Sequence, residues 1–414
     1  MSLFCHHSGV KSVQIAGIII EYNPMHLGHV YLLEQVRARL GADTAIIGIM
    51  SGNFVQRGDF AVVRKHARAE AAVRSGMDLV LELPLPWAVA SAERFADGGV
   101  QVLEKTGLVT DLAFGSECGN EMILRKAAEA LLSPELDELV RRELTKGDSF
   151  AAARQRALAA MLPPEEASLL ETPNNTLGIE YCKALLRRGS AIRPMTVKRK
   201  GAAYHGAELA EELPSATLAR SLLREGKRGL ALERMPEAMA RVYEREEAAG
   251  RAPVFRENCE RAVLARLRTI TEADFAALDE GREGLYHRLY EASRAAVSVA
   301  EVLENAKTKR YAYARLSRMT LWAYLGLTPA GFPAEVPYLR VLAANGTGRA
   351  LLARMRETAA VPILTKPADV RQLGSEAQAL FALEAHATDL YALAYPHLSA
   401  AGGGGEWRDG PVIV

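Results

Sequence analysis

The stretch Ile15–Leu32, IAGIIIEYNPMHLGHVYL, constrains the chain most. Ile15 to Ile20 is apolar, interrupted only by small Ala16 and Gly17. A β-branched run this short suits a strand buried on both faces. Glu21-Tyr22-Asn23-Pro24 ends it, because proline has no N–H for a ladder and asparagine favours turns. His26-Leu27-Gly28-His29 then opens a helical pattern from Tyr31 to Leu40. Two histidines and a glycine therefore sit where a buried strand hands over to a helix.

That position carries chemistry. The unpaired N–H groups of a helix's first turn and its positive dipole end attract anions, phosphates above all. Gly28 lacks the Cβ that would hold a phosphate off the backbone. His26 and His29 share one side of the turn and can both donate to phosphate oxygens. A lone histidine would read as a satisfied core residue; the pair in H-x-G-H outweighs that reading.

Strand and helix alternate onward. Thr44–Met50 reads as a second buried strand, Arg64–Ser75 as a helix, Asp78–Leu83 as a third strand closed by Pro84 and Pro86. Trp87–Thr106 reads as a helix and Val109–Gly115 as a fourth strand. The pattern implies an α/β fold, a Rossmann-like doubly wound parallel sheet. In such sheets ligands bind outside the carboxyl ends of the strands, where the winding reverses. The HLGH turn and Phe114-Gly115-Ser116-Glu117 would be neighbours there. Ile192–Lys198 is a further strand-like run.

At 414 residues the chain exceeds one ordinary core. The expected division is a tail over 1–13, a nucleotide-binding domain over 14–228, a mainly helical C-terminal domain over 229–400 and a loose glycine-rich tail over 401–414. Two short strand-like runs, VPYLRVLAA and VPILTK, flank a helix over Gly348–Thr358 within the helical part.

Composition narrows the classes. No run approaches the ~20 apolar residues of a membrane span, and the N-terminus has no apolar core of a secretion signal. Cys5, Cys118, Cys182 and Cys259 lie far apart without a CxxC, which indicates neither zinc nor a disulfide framework. The expectation is a cytoplasmic protein. A net charge of +1 leaves nucleic acid open, since local distribution decides it.

His-Leu-Gly-His resembles the HxGH signature of the nucleotidyltransferase superfamily. The longer string GIIIEYNPMHLGH resembles the bacterial tRNA(Met) cytidine acetate ligase family. The likeness continues in MSGNFVQRGDFAVVRKHAR, DLVLELP, FGSE, PNNTLGIEY and KTKRYAYARLSRM, in family order over most of the chain. Met25 departs from the phenylalanine expected there, a conservative apolar change.

The resemblance implies ATP as co-substrate, with Mg2+ on its triphosphate, acetate as second substrate and elongator tRNA(Met) as partner. It makes His26 and His29 the catalytic residues. It implies an ATP-contacting stretch of Ile19, Ile20, Glu21, Tyr22, Asn23, Pro24, Met25, His26, Leu27, Gly28, His29, Val30, Tyr31 and Leu32. It adds Gly115, one of Asn174 and Asn175 (Asn174 taken first), and Arg199 with Lys200 ahead of Tyr204-His205. No protein ligand for a metal is legible.

Three further groups have two readings each. Ser215, Thr217 and Arg220 resemble the superfamily's second phosphate motif, and a capped surface helix accounts for them equally well. Arg57 and Lys65 follow the second strand and could hold substrate, or Lys65 could simply start a helix. Lys307, Lys309, Arg310, Tyr311, Arg315 and Arg318 form a basic run without an acid. If helical, it presents Lys307, Tyr311, Arg315 and Arg318 on one face, suited to a tRNA backbone with tyrosine stacking on a base. Without the resemblance, a solvated helix face would be preferred. The alternatives to a tRNA ligase are a small-molecule nucleotidyltransferase and a non-catalytic RNA-binding protein with a vestigial nucleotide fold.

Overall fold

The computed structural model describes residues 14–146, 150–199, 215–278 and 284–414. Its strands in chain order are β1 (Ile15–Ile20), β2 (Ala45–Ser51), β3 (Phe54–Val55), β4 (Asp59–Phe60), β5 (Leu79–Leu83), β6 (Asp111–Ser116), β7 (Arg193–Lys198), β8 (Leu339–Ala344), β9 (Ile363–Leu364) and β10 (Val412–Ile413). The centre is a mixed, mostly parallel sheet in the order β10-β8-β5-β2-β1-β6-β7. The short β9 pairs with β8, and β3 and β4 form a separate hairpin.

β1 runs parallel to both β2 and β6, with Gly17 opposite Ile47 on one side and Leu112 on the other. Every residue of β1 and β2 is buried. Alternate side chains feed two cores: Ile15, Ile19, Ile47 and Ile49 face one, and Ala16, Ile18, Ile20 and Ile46 the other. This is why the run is continuously apolar. Winding proceeds from β1 to β2 and β5 on one side and to β6 and β7 on the other. The switch point therefore lies between the carboxyl ends of β1 and β6, as the alternation predicts.

The C-terminal region differs from expectation. VPYLRVLAA supplies β8, which pairs antiparallel with β5 and extends the central sheet. The glycine-rich tail, expected to be loose, forms the helix Gly405–Arg408 and then β10, parallel to β8. Glu406 is 1% exposed and meets the Lys65 ammonium at 2.8 Å. A buried ion pair and a strand edge thus pin a segment that composition alone assigns to a linker. The expected helix over Trp87–Thr106 is two, Leu85–Ala88 and Ala92–Lys105, the second capped by Ser91.

A third core joins the hairpin to the helical region. Phe54 and Phe60 pack with Tyr311, Leu316, Trp322 and Tyr391. Their rings are 4.9 Å apart, and the Phe54 ring lies 5.7 Å from that of Tyr391. The Trp322 indole N–H donates to the Val89 carbonyl at 2.8 Å, and the Tyr391 hydroxyl to that of Ala61 at 2.6 Å. Burying a phenylalanine is worth about 1.5–3 kcal/mol, so Phe54 and Phe60 tie the hairpin firmly to the helical part.

Candidate active site

His26 is the N-cap of the helix Leu27–Leu40, with extended backbone. Its Nδ1 accepts the Gly28 N–H at 3.1 Å, and the His29 Nδ1 accepts the His26 N–H at 3.1 Å. The two imidazoles form a reciprocal capping box, the roles usually taken by a hydroxyl and a carboxylate. Their rings lie 3.7 Å apart, and Tyr22 packs on His29 at 4.5 Å. A nitrogen that accepts an N–H carries no proton of its own, so each neutral ring carries its hydrogen on Nε2. Burial first, and the Arg199 guanidinium second, lowers His26 to about 4; burial, then His26 and Arg199, lowers His29 well below the ordinary value. The site therefore presents two neutral N–H donors at a helix N-terminus.

Gly28 has a second reason to be glycine. A Cβ there would lie 2.9 Å from the His26 ring carbon, so only glycine leaves room for the cap. Tyr22 has φ +46, a left-handed conformation that costs a non-glycine residue about 1–2 kcal/mol. Asn23 fixes the loop: its Oδ1 accepts the Val62 N–H at 2.7 Å, and its carbonyl accepts the Arg220 guanidinium at 2.6 Å. Ile19, Ile20, Pro24 and Met25 are buried supports, whereas Leu27 is exposed and Val30, Tyr31 and Leu32 are partly exposed.

Glu21 lies at the end of β1. Its Oε1 accepts the Gln56 N–H at 2.6 Å and the Ser51 hydroxyl at 3.4 Å. Burial raises this carboxyl; the Gln56 N–H, Arg68, Arg220 and Arg57 oppose that rise. Arg68, in the helix Lys65–Arg74, is fully buried and donates to the carbonyls of Glu21, Ser51, Gly52 and Val63. One guanidinium thus ties together the carboxyl ends of β1 and β2. Nothing in the sequence marks Arg68 for this, because KHARAEAAVR shows no wide apolar face, yet Lys65 to Val73 are all buried.

Gly115 lies beside Arg199, whose side chain a Cβ there would approach to 3.4 Å. Of the adjacent asparagines, Asn175 is 3% exposed and its Oδ1 accepts the Cys118 N–H at 3.1 Å. Asn174 is more open and donates from Nδ2 to Glu117 at 2.6 Å. Glu117 also accepts both their backbone N–H groups, another role that the sequence does not announce. Lys200, Tyr204 and His205 lie outside the described residues.

The phosphate-like motif divides. Ser215 caps the helix Ala216–Arg224 by accepting the Leu218 N–H at 3.1 Å, the structural alternative for it. Thr217 accepts from Arg220, and Arg220 reaches the turn through Asn23. Lys65 does start a helix, but its ammonium is buried between Glu82 and Glu406, at 2.7 and 2.8 Å. Arg57 is exposed at the tip of the hairpin.

The basic run is not one helix. Residues 307–312 connect two helices, and the second begins at Tyr313. The single face predicted for Lys307, Tyr311, Arg315 and Arg318 does not form, because Lys307 and Tyr311 lie in the non-helical connection, where the Lys307 ammonium turns back onto the carbonyls of Thr308 and Tyr311. Tyr311 is buried, while Lys309, Arg310 and Tyr313 are exposed. Arg318 donates to the Gln56 carbonyl at 3.5 Å, and the Ser317 hydroxyl to that of Gly58 at 3.0 Å. Gly58 has φ +76, and a Cβ there would lie 2.3 Å from the Arg318 nitrogen. The hairpin whose Gln56 holds Glu21 thus rests directly on the basic segment.

A family model described as HIGH Nucleotidyl Transferase matches residues 13–404. A tRNA(Met) cytidine acetate ligase of Fervidobacterium nodosum is 37% identical over 88% of this chain and 87% of its own length. One of Caldanaerobacter subterraneus is 35% identical over 94% and 97%. The chain belongs to the tRNA(Met) cytidine acetate ligase family. A Thermotoga maritima family member, TmcAL bound with alpha-thio ATP, superposes with a TM-score of 0.89 at 34% identity, covering 97% of this chain and 99% of that one. Its apo form gives 0.91 at 33%, with the same coverage. The family's nucleotidyltransferase fold is the one described here.

Proposed function

We infer that the chain is an ATP-dependent ligase that acetylates the wobble cytidine of elongator tRNA(Met). An acetate oxygen attacks the α-phosphorus of ATP, the bond to the β-phosphate breaks, and acetyl-adenylate and pyrophosphate result. The exocyclic amine of the cytidine then attacks the acetyl carbon. AMP leaves, the amine loses a proton, and N4-acetylcytidine remains.

The observation that carries this reading is the pair of neutral imidazoles at the helix start, in a chain of this family. Their Nε2–H groups would donate to the phosphate oxygens as charge builds there, catalysis by donors already in place. The helix N-terminus adds its own N–H groups. Arg199 beside Gly115 and Arg220 beside Asn23 would flank the phosphates, and Asn174, the more exposed of its pair, would contact the nucleotide. Mg2+ would arrive on the triphosphate oxygens and offset their charge; among the described residues no three His, Cys, Asp or Glu are grouped to hold a metal. Residues 14–228, completed by β8 and β10, would carry the nucleotide chemistry, and the exposed Lys309 and Arg310 in 229–400 would meet the tRNA. No helix among the described residues is long and apolar enough to cross a membrane, which suits a cytoplasmic tRNA enzyme.

The test is AMP formation with acetate and tRNA supplied separately and together. The reading requires acetate-dependent AMP formation that tRNA(Met) carries to completion. Nucleotidyl transfer to a small acceptor without RNA would replace it with a small-molecule nucleotidyltransferase.

A further inference from the structure

We propose that Arg57, at the tip of the β3–β4 hairpin, is the residue that holds the carboxylate substrate against the nucleotide. This rests on the reaction inferred above. Two anions must meet in its first step, a carboxylate and an α-phosphate, and their repulsion has to be offset by a nearby cation. The histidine pair supplies donors but no charge.

Among the described residues, three guanidinium groups that are not buried are set around the turn and the end of β1. Arg199 lies over Gly115 on the β6 side. Arg220 is committed to the Asn23 carbonyl and the Thr217 hydroxyl. Arg57 is exposed, and among the described residues its side chain has no hydrogen-bond or ion-pair partner. It is placed nonetheless. Its neighbour Gln56 gives its N–H to Glu21 at 2.6 Å, and the Gln56 side-chain amide donates to the Ala90 carbonyl at 3.3 Å. Gly58 on its other side is wedged against Ser317 and Arg318. Arg57 thus follows directly on the residue whose N–H meets Glu21 at the carboxyl end of β1, and its charge acts on Glu21 and Arg220.

A planar guanidinium suits this task, because its paired N–H groups match the two oxygens of a carboxylate. The ligand class is a small monocarboxylate. One oxygen attacks phosphorus, the electron pair of the broken bond leaves with pyrophosphate, and Arg57 keeps its protons throughout. The hairpin is anchored through Phe54 and Phe60 in the helical core, so the arginine is held from the side on which the basic segment lies.

The experiment is steady-state AMP formation by full-length wild type, Arg57→Gln and Arg57→Lys, with acetate, ATP and tRNA(Met) varied in turn. Arg57→Gln should raise the acetate KM at least tenfold and leave the ATP KM within twofold, which also shows the fold intact. Arg57→Lys should recover part of the loss, because charge returns without the fork. An unchanged acetate KM would overturn the proposal, as would a rise confined to the ATP KM, meaning a phosphate contact, or to the tRNA KM, meaning an RNA contact. A wild type that forms no AMP with acetate would instead sink the reaction itself, and this assignment with it.

Discussion

His29 accepts the backbone N–H of His26 through Nδ1 at 3.1 Å, while its ring lies 3.7 Å from the His26 ring. One hydrogen bond thus closes the helix start and fixes which His29 nitrogen carries the hydrogen. Structural capping and the proposed phosphate donation fall on the same side chains. Replacing either histidine with alanine should therefore do two things. AMP formation should drop roughly a hundredfold or more, as removal of a pre-placed donor typically does. Stability should fall by about 1 kcal/mol through the missing cap, measurable by denaturant unfolding. Near-normal turnover in both variants would remove HLGH from the mechanism.

The pH dependence follows from the same geometry. A histidine with its pKa lowered to about 4 is neutral throughout the range where an ordinary histidine titrates. The first chemical step should show no inflection near pH 6.5. The unfolded chain binds the proton first as pH falls, so stability should rise with pH between about 4 and 6.5. A rate that climbs as pH drops through 6.5 would mean that an imidazolium does the work.

The sheet and the turn are legible in the sequence because one run of β-branched residues has few places to go, and because H-x-G-H follows it at once. What is not legible is long-range. Nothing near Glu406 announces that the tail returns to pair with Lys65, 341 residues away. The basic run gives the charge of Lys307 but not that its ammonium folds back on its own loop. Asn174 and Asn175 look equivalent until Cys118 and Glu117 divide them. Ala-rich spacing in KHARAEAAVR looks exposed, and only the packed structure shows Arg68 beneath two strand ends.

Arg68 tests that last point. Four carbonyls are deprived of their donor if it becomes methionine, and buried acceptors left unpaired cost about 1–3 kcal/mol each. Arg68→Met should destabilise the protein by about 3 kcal/mol or more in urea unfolding. Its ATP affinity should weaken as well, because the β1 and β2 ends are no longer tied. A variant of unchanged stability would mean that the carbonyls find other donors.

Lys309 and Arg310 are exposed cations of the loop before the helix Tyr313–Leu325, beside Lys307, which is exposed too but gives its ammonium to the Thr308 and Tyr311 carbonyls. Changing both to alanine should weaken tRNA binding and flatten the slope of log affinity against log salt by about 0.7–0.9 for each phosphate no longer neutralised. ATP affinity should hold. Arg318→Ala should behave differently and weaken both, because Arg318 meets the Gln56 carbonyl and the Gln56 N–H holds Glu21. Filter binding over a salt series, with ATP titrated in parallel, separates the two outcomes.

The most direct measurement is mass analysis of tRNA(Met) nucleosides after incubation with the protein, ATP and isotopically labelled acetate. Labelled N4-acetylcytidine is expected at the wobble position, with one AMP released per acetyl group transferred. Unmodified tRNA under these conditions, or label that enters only from acetyl-coenzyme A, would contradict an acetate-dependent ligase.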